Sequence, residues 1–126
     1  MGCKFKNCRL KDTIFRKCEF WNSTFENCQV EKCDLTRGEF YNGNFRNCNF
    51  ININLRGSGF SDFEFIETKF HNSNLDLIIV RSVKLWKSNQ CTQIEKSSSF
   101  EKILKDLDLI SKNQIENDDD LSSEAN

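Results

Sequence analysis

The sequence predicts an all-β solenoid: a square coil of about four turns, closed at its C-terminal end by one capping α-helix. Three observations carry this. Every fifth residue from Phe5 to Leu85 is Phe, Leu or Val, seventeen positions without a break. Two residues before each stands a second register, in which thirteen of seventeen are Cys, Ser, Thr or Gly. After Leu85 the period stops, and apolar residues return at helical spacing from Phe100.

A period of five belongs neither to a helix nor to a flat strand. It fits a chain that turns a corner every five residues. Each unit then forms one short side, with one large and one small side chain pointing inward. Four sides close a coil, and coils stack at about 4.8 Å through backbone hydrogen bonds. Seventeen units make slightly more than four coils, so residues twenty apart stack on one face. The core is therefore four columns: Phe5, Phe25, Phe45, Phe65 and Leu85 on the first face; Leu10, Val30, Phe50 and Phe70 on the second; Phe15, Leu35, Leu55 and Leu75 on the third; Phe20, Phe40, Phe60 and Val80 on the fourth. Stacked rings add offset packing to simple burial. Phe63 is the worst outlier in the small register, and Gly43 one coil below it leaves the room it needs.

Units such as Cys33-Asp34-Leu35-Thr36-Arg37 and Cys48-Asn49-Phe50-Ile51-Asn52 carry a resemblance. Residues 1 to about 87 resemble the pentapeptide-repeat family, whose motif is often written A(D/N)LXX. The resemblance implies a right-handed quadrilateral β-helix. The chain departs from the motif in setting Cys where Ala is commoner. Some members of the family bind DNA gyrase as mimics of duplex DNA. That role rests on an acidic, long rod.

The rest of the chain divides in two. Residues 88–112 are read as an irregular polar segment followed by a helix over about 99–112, with Ser98 and Glu101 as a capping box and Phe100, Ile103, Leu104 and Leu107 along one face. The helix is expected to cover Leu75, Val80 and Leu85, because an open solenoid end exposes core and strand edges. Residues 113–126, with Asp118-Asp119-Asp120, read as a disordered acidic tail. The N-terminal end shows no comparable cover, so it is expected to meet a partner, or a second copy in a homodimer, or else to fray.

Several function classes are excluded or disfavoured. The length allows one domain. The net charge of −1 excludes a strongly basic or acidic module on average. Residues 1–89 carry fourteen Lys and Arg against ten Asp and Glu, and residues 90–126 carry four against nine, giving +4 and −5. The DNA-mimic role needs the opposite sign on the repeats, and the mixed outward charges disfavour nucleic-acid binding. No stretch is long and apolar enough for a membrane-spanning helix, and the N-terminus lacks the apolar core of a signal peptide. Six of the seven cysteines occupy the inward small position without a C-x2-C pair, which points to packing rather than zinc. The column Cys8, Cys28, Cys48 is the alternative soft-metal or redox site, and Cys91 the most reactive thiol. Unpaired cysteines suit the reducing cytoplasm. His71 has no triad partner in the pattern, and a core filled with Phe and Leu leaves no interior cavity. The expectation is a non-catalytic binding or scaffold module without cofactor or metal. Its protein partner is unidentified. The candidate contacts are Trp21, Tyr41 and Arg81 in one outward column, and the apolar pair Ile51 and Ile66.

Overall fold

The structure, a computed structural model, describes residues 2–111. In chain order the strands are β1 (Lys4–Lys6), β2 (Arg9–Lys11), β3 (Glu19–Trp21), β4 (Thr24–Glu26), β5 (Gln29–Glu31), β6 (Glu39–Arg46), β7 (Asn49–Ile51), β8 (Gly59–Ile66), β9 (Lys69–His71), β10 (Ile79–Lys87), β11 (Gln90–Ile94) and β12 (Ile110–Ser111), with α1 (Phe100–Asp106) between the last two. They build a four-sided β-helix of about four coils.

The register is a strict step of twenty. Phe5 pairs with Phe25, Phe25 with Phe45, Phe45 with Phe65 and Phe65 with Leu85 on the first face. Leu10, Val30, Phe50 and Phe70 align on the second. The third face is held by isolated bridges joining Ile14, Asp34, Asn54 and Asn74. On the fourth, Phe20, Phe40, Phe60 and Val80 align. The longer strands β6, β8 and β10 bend from the fourth face onto the first.

The corners explain the period. Every fifth residue from Asn7 to Ser82 has φ between 46° and 72°. A left-handed residue turns the chain sharply and aims its N–H at the next coil: Asn7 donates to Glu26 O at 2.8 Å, Asn27 to Arg46 O at 2.8 Å, and Asn47 to Ile66 O at 2.8 Å. Side chains with a Cβ resist this conformation, and Asn, Asp and Gly resist it least. Seven of the sixteen corners are Asn, two are Asp and one is Gly57. Stacked corner amides also join coils, as where Asn42 Nδ2 donates to Asn22 Oδ1 at 2.6 Å. On the third face the corner closes as a type II turn, with Gly38 N donating to Leu35 O at 3.0 Å across Arg37. The residue before each central Leu supports that turn: Asp34 Oδ1 accepts from Thr36 N at 3.0 Å, and Asn54 and Asn74 do the same for Arg56 and Asp76. The Thr36 hydroxyl and amide, then the nearby Arg16 guanidinium, hold the Asp34 carboxyl below its ordinary range.

The core is largely aromatic. Phe40, Phe45, Phe50, Phe60, Phe63, Phe65 and Phe70 are all buried. Phe20, Phe40 and Phe60 stack nearly parallel, with centroids 4.9 Å and 4.6 Å apart. Phe63 fits where expected. It lies directly over Gly43, where a Cβ would come within 3.2 Å of the Phe63 ring and 2.0 Å of Ser23 O. In the first coil Phe5, Leu10, Phe15 and Phe20 are only partly buried.

The C-terminal cap differs from the expectation in three respects. The segment read as irregular is ordered: β10 runs on to Lys87, Ser88 and Asn89 both have positive φ as in a type I′ turn, and β11 returns antiparallel along β10. The helix is α1 alone, after a 3₁₀ turn at Ser97–Ser99, and does not reach 112. It stops in a Schellman motif. Asp108 takes φ 58°, Asp108 N donates to Lys105 O at 3.0 Å and Leu109 N to Leu104 O at 2.8 Å. The chain then adds Ile110 to the second-face column, paired with Phe70. The Ser98–Glu101 box does not form. Ser99 is the N-cap, without a side-chain bond. The useful hydroxyl is that of Ser97, which accepts from Val80 N at 2.8 Å on the fourth-face edge. Phe100 and Leu104 are buried, with Phe100 5.4 Å from the Phe65 ring, while Ile103 and Leu107 pack at the margin. Leu75, Val80 and Leu85 are buried, with Leu85 flanked by Thr92 of β11. The acidic tail 113–126 lies outside the described residues.

Two substitutions test this account. Leu77 is a corner with φ 57° and a side chain 66% exposed. Leu77→Asn should therefore stabilise the protein by up to about 1 kcal/mol in urea denaturation. Gly43→Ala should destabilise it by about 1–3 kcal/mol, because the new methyl collides with Ser23 O and Phe63.

Candidate functional site

The small register holds donors as well as small side chains. The carbonyls of Phe5, Phe25, Leu35 and Phe45 take partners from the coil above, and the small register supplies them. Cys28 Sγ donates to Phe5 O at 3.3 Å, Cys48 Sγ to Phe25 O at 3.2 Å, Thr68 Oγ1 to Phe45 O at 3.1 Å and Ser58 Oγ to Leu35 O at 2.8 Å. A buried carbonyl needs a partner, and Cys, Ser and Thr supply one that Ala lacks. Burial pushes the Cys48 thiol up to about 12, and burial likewise raises that of Cys28. These thiols stay protonated as donors. No group of three or more His, Cys, Asp or Glu among the described residues is placed to hold a metal. Cys3 and Cys91 are exposed.

His71 gains a neighbour that the repeat pattern did not indicate. Its Nδ1 lies 2.5 Å from Ser111 Oγ, brought alongside by the β9–β12 pairing. On its other side the register sets Ile51, not a carboxylate that would orient the imidazole. The pair closes a strand edge.

The outward surface is uneven. The second and third faces neutralise charges within the chain: Arg9 pairs with Glu31 at 3.6 Å, Arg16 with Asp34 at 3.0 Å and Arg56 with Asp76 at 3.8 Å. The fourth face is different. Its two outward columns read Trp21, Tyr41, Ser61, Arg81 and Glu19, Glu39, Gly59, Ile79. Trp21 and Tyr41 are each 48% exposed and Ile79 60%. The third coil contributes only Gly57, Gly59 and Ser61, so a groove of about 450 Å³ lies between the aromatic pair and the Ile79–Arg81 ridge. Gly57 serves the backbone, with φ 72° at a corner. Gly59 does not. A Cβ there would meet nothing nearer than Ile79 O at 4.0 Å. The fold does not require a glycine at 59, and its effect is to deepen the groove.

Of the residues singled out in the sequence, Trp21, Tyr41 and Arg81 come together here. Ile51 and Ile66 do not form a pair. Ile51 lies on the second face and Ile66 on the first, beside Trp86 in the register. Ile79, Gly59 and Glu39 complete the groove and were missed. The signal that could have found them is the column one residue before each central position, read together with the column after it.

The model of a family described as pentapeptide repeat region matches residues 1–76. Among solved structures, a trypsin-treated variant of QnrB1, a plasmid-mediated fluoroquinolone resistance protein, superposes with TM-score 0.56 at 14% identity, over 71% of this chain and 44% of that one. The chain thus spans under half the length of that relative. The pentapeptide-repeat protein Rfr23 from the cyanobacterium Cyanothece 51142 is similar at TM-score 0.31 and 11% identity, over 69% of this chain and 86% of that one. No curated protein matches the sequence.

The thiol donors give a test. The raised value of Cys48 means that its contribution is complete below the unfolded value near 9 and is lost as pH rises toward 12. Stability should fall over that alkaline window. In the native protein at pH 8, Cys3 and Cys91 should react with a thiol reagent at once, and Cys28, Cys33 and Cys48 only on unfolding.

Proposed function

The chain belongs to the pentapeptide-repeat family, and from that premise we propose that it is a non-catalytic protein-binding module whose contact surface is the groove of the fourth face. The observation that carries this reading is the glycine at 59. Side chains are absent from the third coil at a position where the fold would accept one, beside two half-exposed aromatic rings. Tyr and Trp give large, rigid contact area, and interface hot spots concentrate in such residues and in Arg. Among the described residues the register sets Ile51, not a carboxylate, beside the His71–Ser111 pair, and the core is filled by Phe and Leu side chains. Internal thiol donors work only while reduced, which suits the cytoplasm.

The DNA-mimic or gyrase-directed alternative has less support. The repeat region carries +4 by count, and a likeness of fold at 14% identity does not carry a partner across. Nucleic-acid binding is disfavoured because Arg9, Arg16 and Arg56 are already paired.

The test is a quantitative pull-down from source lysate with wild type beside the Trp21→Ala/Tyr41→Ala double variant. A partner held by wild type and lost at least tenfold by the variant supports the reading. A partner held equally by both removes the groove from the function.

A further inference from the structure

The fourth face is polarised along the rod. In its two outward columns the acids, Glu19 and Glu39, sit in the first two coils and the base, Arg81, in the fourth. Among the described residues none of the three has an ion-pair partner within the chain, whereas Arg9, Arg16 and Arg56 on the second and third faces are paired. Bulk is polarised as well. Trp21 and Tyr41 project from coils one and two, and coil three is a hollow of Gly59 and Ser61.

We propose that this face is a self-complementary surface on which a second copy of the chain docks, rod against rod and antiparallel. The inference rests on the reading of the fourth face as a binding surface and names its partner. Consider a two-fold axis lying in the face, parallel to the strands, midway between coils two and three. It sets coil one of one copy against coil four of the other, and coil two against coil three. In the first outward column Trp21 then meets Arg81 of the second copy, a cation over an indole, and Tyr41 meets Ser61. In the second column Glu39 projects over Gly59, so Tyr41 and Glu39 enter the hollow of the other copy. Glu19 meets Ile79 directly, but Arg81 of the second copy lies diagonally beside it, within reach of a long side chain. Each contact occurs twice, as an isologous interface demands. The other two-fold arrangement, with parallel rods, sets hollow against hollow and leaves the acids without a base. Charge and shape both select the antiparallel pair.

Four coils at about 4.8 Å and a face about 15 Å wide give roughly 300 Å² per copy. That is well below the ~800 Å² per partner of a standard stable complex. The pairing is therefore weak and reversible, and it is read at high concentration.

The experiment is sedimentation velocity and equilibrium of the full chain from about 20 µM to about 1 mM, at low and high salt. The weight-average mass should rise from 14.8 kDa toward twice that value, and less so at high salt. Arg81→Glu alone should weaken pairing at least tenfold, and so should the Glu19→Arg/Glu39→Arg double variant, because each sets like charges together. Mixed in equal amounts, these two variants should form a heterodimer with pairing restored. Gly59→Tyr, at a position with room for a Cβ, should fill the hollow and block pairing. Circular dichroism confirms that each variant is folded. A wild type monomeric at about 1 mM overturns the proposal, as does a dimer indifferent to both charge reversals or a mixture no tighter than its components. A monomeric wild type that still loses a lysate partner on Trp21→Ala/Tyr41→Ala would overturn the self-association alone and leave the binding-surface reading standing.

Discussion

The structure depends on a left-handed backbone corner at every fifth residue. Four such corners bring the chain back over itself after twenty residues, and the same peptide that turns the corner aims its N–H at the coil above. Everything inward follows from that spacing. One large side chain per side fills the square, and one small side chain beside it leaves clearance. The backbone is committed to neighbouring coils on both sides, so the outward positions carry little of the fold. Asn predominates at the corners because its side chain tolerates left-handed φ and its amide can bond its counterpart one coil away.

Hydrogen-bond accounting gives the cysteines a role beyond size. In the column Cys28, Cys48, Thr68 the donor changes from thiol to hydroxyl while the acceptor stays the carbonyl of the first-face phenylalanine below. The position selects a compact donor, and Cys, Ser and Thr are interchangeable answers. A metal or disulfide role would require the same sulfurs to leave those carbonyls unpaired inside an apolar core.

The repeat was legible in full from the sequence. Columns of Phe, Leu and Val at a fixed step admit one register, and the step of twenty alone sets Phe63 over Gly43 as a compensated pair. The cap was only partly legible. Leu107 and Ile110 continue a helical spacing, so the helix was read too long. Nothing local marks Asp108 as its end except a tolerance for left-handed φ, and Ile110 is drawn away by a vacancy over Phe70 that exists only once the coils are stacked. The hairpin at Ser88–Asn89 was hidden for a similar reason: β11 is mostly polar because only Ile94 faces the core. At the candidate site, Trp21, Tyr41 and Arg81 could be grouped by their spacing of twenty and forty. The groove could not, because it consists of absent side chains. The pairing of Ile51 with Ile66 failed because residues fifteen apart fall on different faces.

The hairpin has a consequence for how the chain acquires its shape. Contacts in the rod join residues about twenty apart, so each coil requires closure of a long loop before it gains anything. The turn at Ser88–Asn89 and the helix at Phe100–Asp106 join near neighbours. They can form first and offer a finished edge on which the fourth coil, then the third, can settle. A ribosome delivers that edge after the coils it closes. Order would therefore spread through this rod against the direction of synthesis, and the partly buried rings of Phe5, Phe15 and Phe20 would be the last to arrive and the first to leave.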